Sequence, residues 1–153
     1  MAYRCKSGVQ LAETDVLAVY CSDHRIQAGV REFLDESLNL RANYDSLVVP
    51  GGPQCLVEFE SLPKFAWVGR KWSRALIQLH SLKRLVLIAH QDCGWYRWLE
   101  DYHSSRDSVR RRQEDDLKEA KQGASRLEPD LTVDLYYAAW NADDAMSIDS
   151  VPS

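Results

Sequence analysis

The stretch Leu87 to Gly94, LIAHQDCG, carries an apolar run straight into His90 and, three positions on, Cys93. Imidazole and thiolate are borderline-to-soft donors, and His-x-x-Cys sets both on one short turn, where they can converge on a single ion. A second apolar run, Asp15 to Tyr20, ends directly in Cys21, with Asp23 and Arg25 following in the same turn. Cys21 would be the third ligand, giving a Cys₂His zinc site that leaves one tetrahedral position for water. Zinc brings the pKa of such a water from about 15.7 toward about 7, an effect that two electron-donating thiolates weaken. Asp23 then has two opposite uses: it orients that water, or it binds the zinc itself and shuts the water out. A guanidinium forked onto the carboxylate holds it off the metal, so Arg25 decides between them, and the sequence permits both states.

These residues need elements that bring them together from distant parts of the chain. Asp15–Tyr20, Ser46–Val49, Leu85–Ala89 and Leu131–Tyr137 are apolar runs of strand length. Between the first two, Ile26, Val30, Phe33, Leu34 and Leu38 fall on one face of a helix; between the second and third, Phe65, Val68, Trp72, Leu76 and Leu79 do the same, with Pro63 in a first turn. Alternation of strand and helix predicts an α/β fold, a parallel sheet of about four strands flanked by helices. In such sheets ligands bind beyond the carboxyl ends of strands, where the strand order reverses. In the order 2-1-3-4, strands one and three are neighbours and Cys21 meets His90 at that point. The charged segment 104–128 reads as a helix, with Ser104 and Asp107 placed to cap its start and Arg110, Arg111 and Arg112 each four residues ahead of an acid. Those acids neutralise the arginine run, so a solvated helix face is expected there. Residues 1–140 form one zinc domain on this reading, and 141–153 a loose tail.

Composition narrows the function. At 153 residues, 45% hydrophobic and 27% charged, the chain can bury a core of its own. A net charge of -4 argues against nucleic acid as a partner. No apolar run approaches the roughly 18 residues that span a bilayer, and MAYRCKSGVQ lacks the apolar core of an export signal, so a cytoplasmic protein with free thiols is expected.

Cys21-Ser22-Asp23-His24-Arg25 together with His90-Gln91-Asp92-Cys93-Gly94 resembles the two signature motifs of the β-class carbonic anhydrases, Cys-x-Asp-x-Arg and His-x-x-Cys-Gly. Tyr44 to Gly52, YDSLVVPGG, is similar to the family's second strand and glycine-bearing turn, although the family's common Arg-Asn-Ala-Gly run is replaced by Val48-Val49-Pro50-Gly51-Gly52. The resemblance implies a zinc lyase that hydrates carbon dioxide to bicarbonate, with Cys21, His90 and Cys93 on the metal and an Asp23–Arg25 dyad beside it. It also implies assembly as homodimers or higher oligomers. A zinc hydrolase of carbon disulfide or carbonyl sulfide, and a non-catalytic zinc-binding protein in which Asp23 closes the site, are the alternatives.

Around this centre, Val48, Val49 and Leu56 are candidates for an apolar pocket wall. Asp92 is a candidate acceptor for the His90 ring, beside an equal expectation that it is solvent-exposed. His24 is expected at the surface, His80 at a helix carboxyl terminus, His103 in a solvated loop, Cys5 exposed and Cys55 in the core. Trp95, Tyr96 and Trp98 are too dense for one buried face, so some of them are expected at a pocket entrance or a subunit contact.

Overall fold

The structure, a computed structural model, describes residues 2–59, 62–99 and 105–152. The four apolar runs fold as β1 (Val16–Cys21), β2 (Asp45–Val49), β3 (Arg84–His90) and β4 (Thr132–Trp140), parallel to one another in the order β2-β1-β3-β4. β1 is buried along its whole length and β3 along nearly all of it, which is why both read as unbroken apolar runs. Leu17 and Val19 of β1 join one core with α2 (Pro63–His80) and α4 (Arg106–Leu127). Val16, Ala18 and Tyr20 join the opposite one with α1 (Gln27–Glu32) and α3 (Gly94–Leu99).

Three features depart from the sequence-based expectation. The loose tail expected over 141–153 instead carries a fifth strand, β5 (Met146–Ser150), antiparallel to β4. Asn141 builds the connecting turn, its side-chain oxygen accepting from the amides of Asp143 and Ala145. Met146 and Ile148 pack on the α1 side while Ser147 and Asp149 face water, a period of two hidden by a polar composition.

Helix α2 turns its small residues inward, Ala66, Gly69 and Ser73, and leaves Trp72 and Leu79 exposed. The cause is a close approach: a Cβ on Gly69 would run into the backbone of Cys55. Helix α4 exposes Arg110 and Arg111 as expected, but its other face buries Val109, Gln113, Asp116, Leu117 and Ala120, spaced four, three, one and three. Ser105 caps this helix by accepting from the Ser108 amide; Ser104 lies outside the described residues.

Candidate metal centre

Because β1 and β3 are adjacent, Cys21 at the end of one lies beside His90 at the end of the other, and Cys93 returns to them on the turn that follows. Asp92 makes that turn with a left-handed φ of 52°. A matching closure comes from the β2 side, where Gly52, at φ 54°, sits so close that a Cβ there would be 2.7 Å from the Cys21 amide nitrogen. One ligand atom from each of Cys21, His90 and Cys93 lies within 4.8 Å of the others, and all three residues are buried. The sulfurs are 3.8 Å apart, the separation that a tetrahedral ion bound at about 2.3 Å to each would impose.

The imidazole is set for the same purpose. His90 Nδ1 lies 2.8 Å from the Gln91 carbonyl and must donate to it, which leaves Nε2 with a lone pair. That Nε2 is buried and has no hydrogen-bond partner among the described residues. An orphaned buried acceptor costs on the order of 1–3 kcal/mol, a cost that a coordinated cation removes. A hydrogen bond from Cys93 pulls the Cys21 thiol below its ordinary pKa, and the same bond, with burial, pushes Cys93 up. Two sulfurs and one nitrogen, buried and mutually within reach, are compatible with a metal site and suit a thiophilic cation.

Asp23 and Arg25 meet next to this set. The Asp23 carboxylate accepts from Arg25 Nη2 at 2.6 Å and from Nε at 3.0 and 3.1 Å, as well as from the Arg25 amide at 3.0 Å. These bonds hold its pKa down at about 2. Gln27 Nε2 pins the turn from below, donating to the carbonyls of Cys21 and Asp23 at 2.9 and 2.8 Å. Among the described residues the convergent donor set holds Cys21, His90 and Cys93, and Asp23 is not part of it. The dyad opens instead onto a groove of about 500 Å³ walled by Pro50, Trp95 and Trp98.

No family model matches the sequence. An uncharacterised protein of Rickettsia conorii is 28% identical over 92 residues, 58% of this chain and 47% of the relative, so the match spans about half of the relative's length. The β-carbonic anhydrase CafA of Aspergillus fumigatus superposes with a TM-score of 0.54 at 15% identity, over 92% of this chain and 77% of that one. The β-carbonic anhydrase CcaA gives 0.56 at 9% identity, over 92% and 84%. A carbonic anhydrase from Glaciozyma antarctica gives 0.55 at 14%, over 94% and 85%. The chain has the β-carbonic anhydrase fold.

Within that fold the pocket wall expected from the sequence is corrected. Val48 sits on the outer sheet edge, 37% exposed, and Leu56 lines a separate apolar cavity with Ser73 and Ile77. Neither they nor Val49 line the groove, because the chain turns at Pro50 and presents that ring instead. The acceptor for His90 is the Gln91 carbonyl; Asp92 gives its own carbonyl to Arg25 at 2.9 Å and its carboxylate to Arg106 at 3.0 Å. Trp95 and Trp98 flank the groove while Tyr96 is buried. His24 is exposed, His80 pairs with Asp45 across 2.5 Å, Cys5 is exposed, and burial pushes the Cys55 thiol up to about 12. His103 lies outside the described residues.

Two contributors went unread in the sequence. Gln113 donates to the His90 carbonyl at 2.9 Å, and Trp140 lies against Arg25. The spacing of Gln113 from Val109 and Leu117 was the available signal for the first. No helix among the described residues is long and apolar enough to cross a membrane.

Proposed function

We propose that this chain is a zinc lyase that hydrates carbon dioxide to bicarbonate, releasing one proton per turnover. The observation that carries the reading is the state of Asp23: its carboxylate is engaged by Arg25 and lies outside the three-donor set, on the side that faces the groove. Cys21, Cys93 and His90 would hold the ion. Zinc, when bound, supplies Lewis acidity that brings a water toward deprotonation near neutral pH.

The chain's own residues do the rest. Asp23, held as a carboxylate, accepts a hydrogen bond from the attacking water and turns a lone pair of that water toward the substrate carbon. Arg25 fixes the carboxylate and removes its freedom to swing onto the metal. Pro50, Trp95 and Trp98 offer a neutral, linear substrate an apolar approach that needs no charged anchor. Bicarbonate then leaves through the open groove as water returns. The β-carbonic anhydrase fold of the solved neighbours supports the same reaction class. Association into homodimers or larger oligomers belongs to the same proposal.

Stopped-flow carbon dioxide hydration on zinc-loaded protein, from about pH 6 to 9, tests this. Hydration that rises with pH and disappears in Cys93→Ala supports it. One zinc per chain with no hydration at any pH rejects it in favour of the non-catalytic alternative. The groove, at about 500 Å³, is larger than carbon dioxide requires, so the same zinc-loaded protein is to be assayed with carbonyl sulfide and carbon disulfide. Turnover of those alone replaces the substrate and keeps the chemistry.

A further inference from the structure

Trp140 ends β4, and its indole lies over the Arg25 guanidinium, with Cζ 5.3 Å from the ring centroid. The same ring runs roughly parallel to the His90 imidazole, with centroids 6.3 Å apart and planes 24° off. One indole therefore borders both a candidate ligand and the arginine of the dyad. We propose that Trp140 is a positioning residue: its ring face holds Arg25 on Asp23, and so keeps the Asp23 carboxylate from becoming a fourth protein ligand. The proposal rests on the metal-centre reading above.

The Asp23–Arg25 pair cannot be expected to hold itself. It spans two residues of one turn, and the Arg25 side chain is 45% exposed. Pairs of this kind are weakened by solvent screening and by the entropy of a long side chain. Arg25 has two further anchors. Its Nη2 donates to the Asp92 carbonyl at 2.9 Å, and its face is covered by the indole. The carbonyl fixes one edge of the guanidinium, whereas the ring fixes its plane, and indole is the strongest of the aromatic partners for a cation. Without the ring, Arg25 gains the freedom to swing into water. Asp23 then keeps the Arg25 backbone amide but loses the guanidinium fork, and it lies two residues from Cys21, where a carboxylate is a good zinc ligand.

Trp140 is itself tied to the element that carries Arg25. It pairs with Met146 across the β4–β5 hairpin, and its amide donates to Gln91 Oε1 at 3.4 Å. The Met146 methyl is seated on Gly29 of α1, where a Cβ would have to displace it. Helix α1 continues directly from the turn containing Arg25. The terminal hairpin thus anchors the indole to the same helix that launches the arginine.

Azide binding to cobalt-substituted protein, followed by the d–d absorption, tests whether the fourth position is open without any use of turnover. Wild-type protein is expected to show a saturable azide-dependent change. Trp140→Leu should keep one cobalt per chain and lose affinity for azide by on the order of tenfold, Trp140→Phe should lose less, and Trp140→Leu with Asp23→Asn should recover wild-type affinity. Equal azide affinity in wild type and Trp140→Leu, or no azide binding to cobalt-loaded wild type, overturns the proposal. A metal-free measurement stands beside it: the Arg25 Nε–H cross-peak, assigned by its loss in Arg25→Lys, should exchange several-fold faster with solvent in Trp140→Leu. An unchanged exchange rate also overturns it. Should Trp140→Leu fail to fold, Trp140→Met keeps the bulk without the aromatic face and replaces it in both measurements. Wild type that binds azide but never hydrates carbon dioxide sinks the proposed function and leaves the role of Trp140 standing.

Discussion

His90 stands between two polar clusters of opposite character. On its ring side are Nε2 and two sulfurs, buried together, with the nitrogen lacking a hydrogen-bond partner among the described residues. On its backbone side, Gln113 Nε2 donates to the His90 carbonyl at 2.9 Å and Tyr137 donates to Gln113 Oε1 at 3.2 Å. One turn along α4 from Gln113, Asp116 accepts from Tyr96 of α3 at 2.7 Å and, on its other oxygen, from Arg112 at 2.8 Å. Both clusters are buried, so burial does not tell them apart. Completeness does. A polar cluster that closes on itself stabilises a fold and asks for nothing more, whereas one that is short of a partner asks for a ligand. The largest expected effect attacks the incomplete cluster: Cys93→Ala should reduce bound metal from one per chain to almost none after dialysis, and lower carbon dioxide hydration by on the order of a thousandfold. Metal analysis and stopped-flow assay read the two losses. Retained stoichiometric metal would show that the thiol is not a ligand.

The complete cluster is attacked by Gln113→Leu, which orphans the His90 carbonyl and the Tyr137 hydroxyl in the core. About 2–3 kcal/mol of stability should be lost, seen as a lower denaturant midpoint, while zinc per chain stays at one. If zinc is lost to the same degree, the two sides of His90 are not separable. The buried tyrosines extend this test to alkaline pH. Burial raises the Tyr137 pKa to about 12 and raises that of Tyr96 as well, against an unfolded value of about 10. A group whose folded pKa is raised contributes stability that is fully present below its unfolded pKa and is lost as pH climbs through the folded one. From about pH 10 to about 12 Tyr137 should therefore cost about 1.4 kcal/mol per pH unit, and Tyr96 acts in the same direction. Absorbance at the tyrosinate band during alkaline titration should show these two ionising only as structure is lost, and Tyr137→Phe should make the fall in stability with pH shallower.

Legibility in the sequence followed the same division. Cys21, His90 and Cys93 were readable because each ends an unbroken apolar run or the turn after it, and buried central strands advertise themselves by composition. Asp23 and Arg25 were readable because they share one turn with Cys21. The pocket wall was misplaced because a single bend at Pro50 decides which side chain meets the groove, and no periodicity encodes a bend. β5 was hidden because its outward residues are serine and aspartate, leaving two apolar positions in five. Gln113 and Asp116 were hidden for a chemical reason: a polar residue on a helix reads as solvated unless its partner is known, and Tyr137, Tyr96 and the His90 carbonyl come from other elements.

The three adjacent arginines of α4 give the finest version of the comparison. Arg112 reaches the buried Asp116, so its loss belongs with the large effects. Arg110 pairs with Glu114 at 2.8 Å and covers the Tyr137 ring from 4.7 Å, which places it at the rim of the complete cluster. Arg111 is exposed. Arg110→Ala should cost about 0.5–1 kcal/mol, through lost ring contact more than lost charge. Arg111→Ala should change stability by less than about 0.5 kcal/mol. Thermal or denaturant unfolding of the two variants resolves that order, and added salt should shrink the small Arg111 effect while leaving most of the Arg110 one, since screening weakens solvent-exposed charge more than it weakens packing. An Arg111 effect as large as that of Arg110 would mean that α4 is stabilised by its charge pattern as a whole, and that nearness to the His90 carbonyl network does not rank its arginines.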